Sequence, residues 1–156
     1  MNFQVIALPE TAFQPLYGLS DDDLARRGVR PVIALSSSGY PCRVSLRDAD
    51  AGARMFLLNY EHQPANSPYR STHAIYVQDG AVSAEVEINT VPAVLRTRLL
   101  SIRAFDHDGM IVDADVVEGT EAALAFQRLL ANDKTAYLHV HNAKRGCYAA
   151  RVDRAA

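Results

Sequence analysis

Four of the five histidines lie in two short parts of the chain, and these parts carry the residue types best suited to chemistry. His62 and His73 flank a polar segment near the middle, while His139 and His141 lie two positions apart near the C-terminal end. Residues two apart on a strand share one face, and neutral imidazole is a common ligand of zinc, iron and nickel. His139 and His141 therefore form a candidate divalent metal site, with Glu61, His62 or His73 as candidate further ligands.

The same pattern has a structural alternative. A pair of histidines separated by one residue occurs on many strands without a metal, with the rings hydrogen-bonded to neighbours or to water. The spacing within the pair suits a metal, but the sequence does not fix the remaining ligands. Both interpretations stay open at this level.

A thiol beside an imidazole is a second candidate for chemistry. If the last two strands form a hairpin that pairs Val140 with Tyr148, His141 lies directly opposite Cys147. An adjacent imidazole favours the reactive thiolate form of a cysteine. His141, Cys147 and His62 are thus the candidate catalytic residues, whereas an inert role for Cys147 as a small core residue is the alternative.

Arginines near these histidines suggest a third kind of site. Arg43, Tyr69, Arg70, His73 and Arg145 are the candidate ligand-binding residues for a small anion, because guanidinium groups match carboxylate and phosphate oxygens. Solvated loop arginines are the alternative. The chain has neither of the glycine-rich phosphate-binding motifs, GxGxxG or GxxxxGK.

Length and composition place these residues in an ordinary globular protein. A chain of 156 residues with 49% hydrophobic and 22% charged residues predicts one domain spanning residues 1–156. No apolar run approaches the roughly 18 residues of a membrane span, and no secretory signal opens the chain. We therefore expect a soluble cytoplasmic protein without a membrane partner, whose two cysteines are reduced.

The charge balance bears on partners. A formal net charge of -2 gives no global basic field, so nucleic acid is not an expected partner. A small anionic ligand and self-association into a homo-oligomer are the partners that remain, and a divalent metal is the only cofactor suggested.

Hydrophobic periodicity and turn residues predict the elements that position these side chains. Ser20 is a predicted helix N-cap, and Thr120 is predicted to cap a second helix whose apolar stripe runs from Ala122 to Leu130. Predicted strands cover residues 1–8, 32–35, 54–60, 73–77 and 82–88, and residues 61–71 form a predicted polar loop. These elements predict an α+β fold with a mostly antiparallel sheet and two main helices.

Two hairpins have a predicted register. A turn at residues 107–109 sets Leu100 opposite Val116 and Arg103 opposite Asp113, which predicts a cross-strand ion pair. At the C-terminal end, the pairing of Val140 with Tyr148 leaves a loop at residues 142–146.

Several strings resemble an uncharacterised bacterial family that is defined only as a domain of unknown function. They are residues 40–46 (YPCRVSL), 59–64 (NYEHQP), 67–70 (SPYR), 73–77 (HAIYV) and 141–148 (HNAKRGCY). The likeness runs nearly end to end. It implies no substrate, cofactor or catalytic residue.

The sequence favours a small-ligand-binding or enzymatic domain with a site for a small anionic molecule, metal-assisted if the histidines converge. A non-catalytic structural or homodimeric interaction protein is the alternative. The choice depends on whether the two histidine-bearing parts share one recess, since rings on opposite sides of the sheet would leave no site.

Overall fold

Two five-stranded sheets carry most of the regular structure in the computed structural model, which describes all of residues 1–156. The strands are β1 (Phe3–Ile6), β2 (Arg30–Ile33), β3 (Pro41–Cys42), β4 (Arg47–Asp48), β5 (Arg54–Gln63), β6 (Ser71–Gln78), β7 (Leu99–Phe105), β8 (Ile111–Glu118), β9 (Tyr137–Asn142) and β10 (Tyr148–Arg154). The helices are α1 (Asp21–Arg26), α2 (Ala93–Arg96) and α3 (Ala122–Leu130). The predicted α+β class is confirmed.

The strands divide between the sheets in a way that the sequence analysis did not predict. The first sheet has the order β1-β10-β9-β7-β8 and is antiparallel throughout. The second has the order β2-β5-β6-β3-β4, with one parallel pairing between β3 and β6. The connection from β6 to β7 contains no strand, so the chain leaves one sheet there and enters the other.

The prediction of a strand over residues 82–88 is wrong. This segment forms no ladder, although Ala84 donates its backbone N–H to the Val44 carbonyl at 2.9 Å. Its alternating apolar residues are partly used, since Ala84 and Val86 pack against the core whereas Val82 stays exposed. Alternation predicts which face is buried, but it does not supply a partner strand.

α3 covers one face of the first sheet and defines which side of that sheet is left for the histidines. Its buried Phe126, Leu129 and Leu130 belong to the same apolar cluster as Leu138 and Val140 of β9. Because side chains alternate along a strand, the residues between them on β9 point to the opposite face. That face carries the imidazoles.

The two predicted helices are present, but only one has its predicted cap. The Ser20 hydroxyl accepts the Asp23 backbone N–H at 3.1 Å, as expected of an N-cap. Thr120 does not cap α3, because it lies within a 3-10 turn over Gly119–Glu121 that precedes the helix. The short α2 was not predicted, since four residues give too little periodicity to detect.

The predicted register of the β7–β8 hairpin is wrong by one residue. Phe105 pairs with Ile111 as the turn requires, but a bulge then shifts the ladder so that Arg103 pairs with Ala114. The predicted ion pair between Arg103 and Asp113 is therefore absent. The carboxylate of Asp115 on the same strand is instead paired with Arg128 of α3.

The β9–β10 hairpin also departs from its predicted register. Tyr148 pairs with His141, and a bulge between Tyr148 and Ala150 then sets Ala150 opposite Val140. Tyr148 consequently packs in the apolar cluster of the second sheet, whereas Ala150 packs in that of the first. The pairing at the loop sets Tyr148, and not Cys147, opposite His141, and the bulge lets Tyr148 and Ala150 point to opposite faces.

No helix of the structure is both long enough and apolar enough to traverse a lipid bilayer.

Gly119 holds the segment before β7 in place through a close backbone approach. Its N–H donates to the Arg98 carbonyl at 2.8 Å, and a Cβ at this position would lie 2.0 Å from the Leu95 carbonyl oxygen. Gly119→Ala is therefore expected to lower the free energy of unfolding by about 1–3 kcal/mol, as overpacking does. Urea unfolding measures this change, and Thr120→Ala, at the exposed neighbouring residue, is the control. Equal free energies of unfolding for the two variants would contradict the steric argument.

Candidate functional site: a buried histidine cluster beside a basic cleft

Four imidazoles from both sheets meet in one place, which we call the histidine cluster: His62 of β5, His73 of β6, and His139 and His141 of β9. The ring centroid of His62 lies 4.8 Å from that of His73, 5.7 Å from His139 and 5.1 Å from His141. The ring centroids of His73 and His141 are 5.2 Å apart. The structure thus brings together both histidine-bearing parts of the sequence.

Strand geometry explains how these rings converge. His139 and His141 are two apart on β9 and share the face turned away from α3. On the second sheet the β5–β6 register shifts between Tyr60 and Gln63, and His62 lies in this irregular part. The cluster therefore forms where the free face of the first sheet meets an irregularity in the second.

Burial of the cluster is nearly complete. His141 is 0% exposed, His139 is 3% exposed and His62 is 8% exposed, whereas His73 is only partly buried. Tyr148 stacks on His62 with ring centroids 4.9 Å apart and planes 12° apart, and Phe105 meets His139 at 5.1 Å. These aromatic contacts exclude water from the rings.

Exclusion of water sets the charge state of the cluster. Burial is the main cause that lowers the pKa of His62 to about 4 and the pKa of both His139 and His141 to about 3. The neighbouring imidazoles and the Arg103 guanidinium on β7 lower these pKa values further. The three rings are therefore neutral at physiological pH.

Two hydrogen bonds fix ring orientations in the cluster. His141 Nδ1 lies 2.9 Å from the Gly146 carbonyl oxygen, which can only accept, so Nδ1 carries the proton. A neutral imidazole has a single N–H, and His141 Nε2 is therefore a bare lone pair. His62 Nε2 and His73 Nδ1 are 2.6 Å apart, so one of these nitrogens carries a proton that the other accepts.

Three buried ring nitrogens have no hydrogen-bond partner: His62 Nδ1, His139 Nδ1 and His141 Nε2. An unsatisfied buried polar group costs about 1–3 kcal/mol, so three in one cluster are unusual in a folded protein. One nitrogen from each of these rings lies within 4.8 Å of one from each of the others. The arrangement has the donor type and proximity of a metal site.

A cleft of about 1000 Å³ lies beside the cluster, and His73 belongs to both. Segments from both sheets line it, including the β9–β10 loop and the loop before β3. Its basic residues are Arg43, Arg98, Lys144 and Arg145, and Glu118 is its only acidic residue. We call this cavity the basic cleft.

Arg43 is the most constrained of these basic groups. It is 2% exposed and donates to the Pro41 carbonyl at 2.6 Å, the Tyr148 carbonyl at 2.8 Å and the Cys147 sulfur at 3.1 Å. None of these partners is a carboxylate. Burial lowers the pKa of Arg43, and the nearby Cys147 opposes that effect. A nearly buried guanidinium thus lacks a carboxylate counter-ion.

The thiol of Cys147 has different neighbours from those predicted. Because of the β9–β10 register, it does not lie opposite His141; Arg43 Nη2 donates to it, and Asn142 Nδ2 does so at 3.5 Å. Cys147 is partly exposed and lines the basic cleft, while Cys42 is buried. A guanidinium takes the place predicted for an imidazole.

The structure divides the predicted ligand-binding residues into two groups. Arg43, His73 and Arg145 line the basic cleft. Arg70 instead pairs with Glu61 at 3.1 Å on the exposed surface, and Tyr69 packs its ring edge on Phe105 at a centroid distance of 6.3 Å. Glu61 is thereby engaged outside the histidine cluster.

Sequence reasoning missed three residues that shape the site. Lys144 beside Arg145 was visible as a basic pair, but nothing in the sequence placed it over a cavity. Tyr148 reaches the cluster through a bulge, and Arg103 lies beside it because β7 pairs Arg103 with His139. Bulges and non-sequential strand pairings leave little local signal.

Comparison with known protein families places the chain in one of them. A family model described as "Protein of unknown function (DUF1203)" matches residues 39–154, and the chain belongs to this family. All members of the histidine cluster lie within the match, as do Arg43, Lys144, Arg145 and Cys147. No curated protein and no solved structure matches the chain.

The neutral histidines predict a stability loss in acid for the metal-free protein. Their folded pKa values lie below the unfolded value of about 6.5, so the unfolded state binds more protons once the pH falls below 6.5. Stability is expected to be full above pH 6.5 and to fall towards pH 4, at up to about 1.4 kcal/mol per pH unit for each ring.

Urea unfolding across this range measures the slope. His139→Gln should reduce the slope, whereas His107→Gln, which removes the exposed fifth histidine, should leave it unchanged. Equal slopes in the wild type and in His139→Gln would show that His139 is not held neutral.

Exposure predicts a difference in reactivity between the two cysteines. Native protein treated with iodoacetamide should be alkylated at Cys147, which lines the basic cleft, and protected at the buried Cys42. Unfolding in urea should remove the difference, because both thiols are then open to the reagent. Mass spectrometry of peptides follows both sites, and equal alkylation of the two cysteines in the native protein would contradict the burial of Cys42.

Proposed function

We propose that this protein binds a small anionic molecule, a carboxylate or phosphate, in the basic cleft. The observation that carries the proposal is Arg43, a guanidinium that is nearly buried yet has no carboxylate partner. Burial of an uncompensated charge is costly, and a bound anion would offset that cost. An anionic ligand is therefore the natural complement of this cavity.

The rim of the cleft supports the same ligand class. Lys144 and Arg145 are exposed on the β9–β10 loop and take part in no ion pair. Arg98 contributes less free charge, because Asp48 binds it at 2.7 Å. Two free cations at the rim favour capture of an anion from solvent.

Polar groups that carry no charge complete the lining. The hydroxyls of Ser38, Tyr40 and Tyr76 are available to accept or donate hydrogen bonds, and the rings of Tyr40 and Tyr76 are 5.3 Å apart. The volume of about 1000 Å³ lies at the upper end of small-molecule sites. These features suit a metabolite-sized ligand rather than a bare inorganic ion.

Chemistry on such a ligand would fall to groups that reach the cleft. Cys147 and His73 line it, whereas His62 and His141 are buried in the histidine cluster. Within this proposal Cys147 is the candidate nucleophile, and His73 is the candidate proton donor or acceptor. Neither role is required for binding.

Thermal unfolding with inorganic phosphate, succinate and citrate as probes tests the proposal. A ligand at 100 times its Kd should stabilise the fold by about 2.7 kcal/mol and raise its melting temperature. The double variant Lys144→Ala/Arg145→Ala should weaken binding about tenfold, since each exposed charge contributes up to about 1 kcal/mol.

The chain offers a matched control in Arg26→Ala/Arg27→Ala, which removes an exposed basic pair at the C-terminal end of α1 with the same change in net charge. Binding should be unaffected in this control. Absence of stabilisation by every probe, or equal weakening in both double variants, would refute the basic cleft as an anion site. Dimerisation by sedimentation analysis in that event would favour the interaction-protein alternative.

A further inference from the structure

The histidine cluster carries an inference that is independent of the anion proposal. We infer that His62, His139 and His141 form a three-histidine site for one divalent transition-metal ion of the zinc class. The site lies between the sheets, with its nitrogens contributed by two strands of different sheets. Its evidence is three buried ring nitrogens that find no partner within the protein.

His141 provides the firmest part of the argument. Its Nδ1–H donates to the Gly146 carbonyl at 2.9 Å, which leaves a lone pair on the unpartnered Nε2. Metal-bound histidines characteristically donate their other N–H to a carbonyl or carboxylate, which fixes the tautomer and the ring orientation. His141 already has the tautomer that a ligand needs.

His62 is held in a comparable way by His73. The contact of 2.6 Å between His62 Nε2 and His73 Nδ1 leaves His62 Nδ1 buried and unpartnered. When His62 donates in this contact, Nδ1 is a lone pair that can bind a metal. His73 then acts as a positioning residue, and its place in the cleft lining gives the cluster its contact with solvent.

The spacing and chemistry of the three rings fit a tetrahedral ion with one open position. Zinc binds imidazole at about 2.0–2.1 Å, which sets the nitrogens of a tetrahedral site about 3.4 Å apart, so the rings, whose nitrogens lie within 4.8 Å of each other, would close by about 1 Å around the ion. An ion accepts three lone pairs at once, whereas one water can donate only two hydrogen bonds. A metal therefore satisfies the set more completely than a buried water.

Arg103 adds a specific electrostatic expectation. It pairs with His139 across β7 and β9 and is partly buried, and its guanidinium makes no hydrogen bond or ion pair. Its positive charge opposes a bare cation but complements an anionic fourth ligand on the metal. Arg103→Gln is therefore expected to tighten binding of the free metal ion.

Zinc binding to the full chain, purified without an affinity tag and stripped with a chelator, tests the inference. Competition with a chromophoric chelator should give one Zn²⁺ per chain. His62→Asn, His139→Asn and His141→Asn should each weaken binding by about 100-fold or more, and His73→Gln by about 10–100-fold. His107→Asn is the matched control and should bind as the wild type does.

Two further measurements keep the test decisive if a variant fails to fold. In the wild-type chain, NMR of isotope-labelled imidazoles should show zinc-induced shifts at His62, His139 and His141 and none at His107. Co²⁺ should give the intense visible absorption of a tetrahedral site. Zinc should still bind to Lys144→Ala/Arg145→Ala, the variant that weakens anion binding. Absence of stoichiometric binding, or shifts confined to other residues, would overturn the site; anion binding in the basic cleft would stand or fall separately.

Discussion

Burial of neutral imidazoles between two sheets is the constraint on which the rest of this structure depends. Rings that titrate near neutrality in water are here enclosed by aromatic side chains, and their charged forms are excluded. The Tyr148 ring fills the space beside His139 and His141, with ring centroids 5.2 Å and 5.9 Å away. The bulge in β10 lets that ring and Ala150 point to opposite faces, so the irregularity and the cluster are parts of one arrangement.

The cluster and the basic cleft share a property that limits their chemistry. Arg103 and Arg43 bring positive charge close to the histidines and the thiol, and neither forms an ion pair. Carboxylate-rich sites hold hard cations such as Ca²⁺ and Mg²⁺, whereas a neutral nitrogen set flanked by arginine favours softer ions with an anionic co-ligand. Under the two proposals, the positive charge beside each site favours an anion, as the ligand of the basic cleft and as the co-ligand of the metal.

Much of the fold and some of the site could be predicted from the sequence. The period of two placed His139 and His141 on one face, and the Ser20 cap and the apolar stripe of α3 predicted two helices. The predicted β7–β8 register was wrong because of a single-residue bulge, and the predicted β9–β10 register was wrong because the loop is displaced by one residue and a bulge follows it; neither leaves a residue signature. Convergence of His62 with β9 depends on contacts between sheets, which no local pattern encodes.

The missed proximity of Arg43 and Cys147 has the same origin. The two residues are separated by 104 positions, and their contact requires the turn after β3 to reach the loop that precedes β10. A register that placed His141 beside Cys147 was consistent with every hydrophobic position in the hairpin. In the structure Tyr148 pairs with His141 and the Asn142 N–H donates to the Cys147 carbonyl, so the loop lies one residue further along the chain, and Arg43 takes the place beside the thiol.

The hydrogen bonds of Arg43 also connect the two sheets. Its acceptors belong to β3 in one sheet and β10 in the other, so the floor of the cavity is fastened to both layers before any molecule enters. A ligand would therefore bind to a cavity whose lining residues are already in place, and the protein would lose little conformational entropy on binding. Under the anion proposal, the binding surface is preorganised, and selection among ligands would depend on their shape and charge.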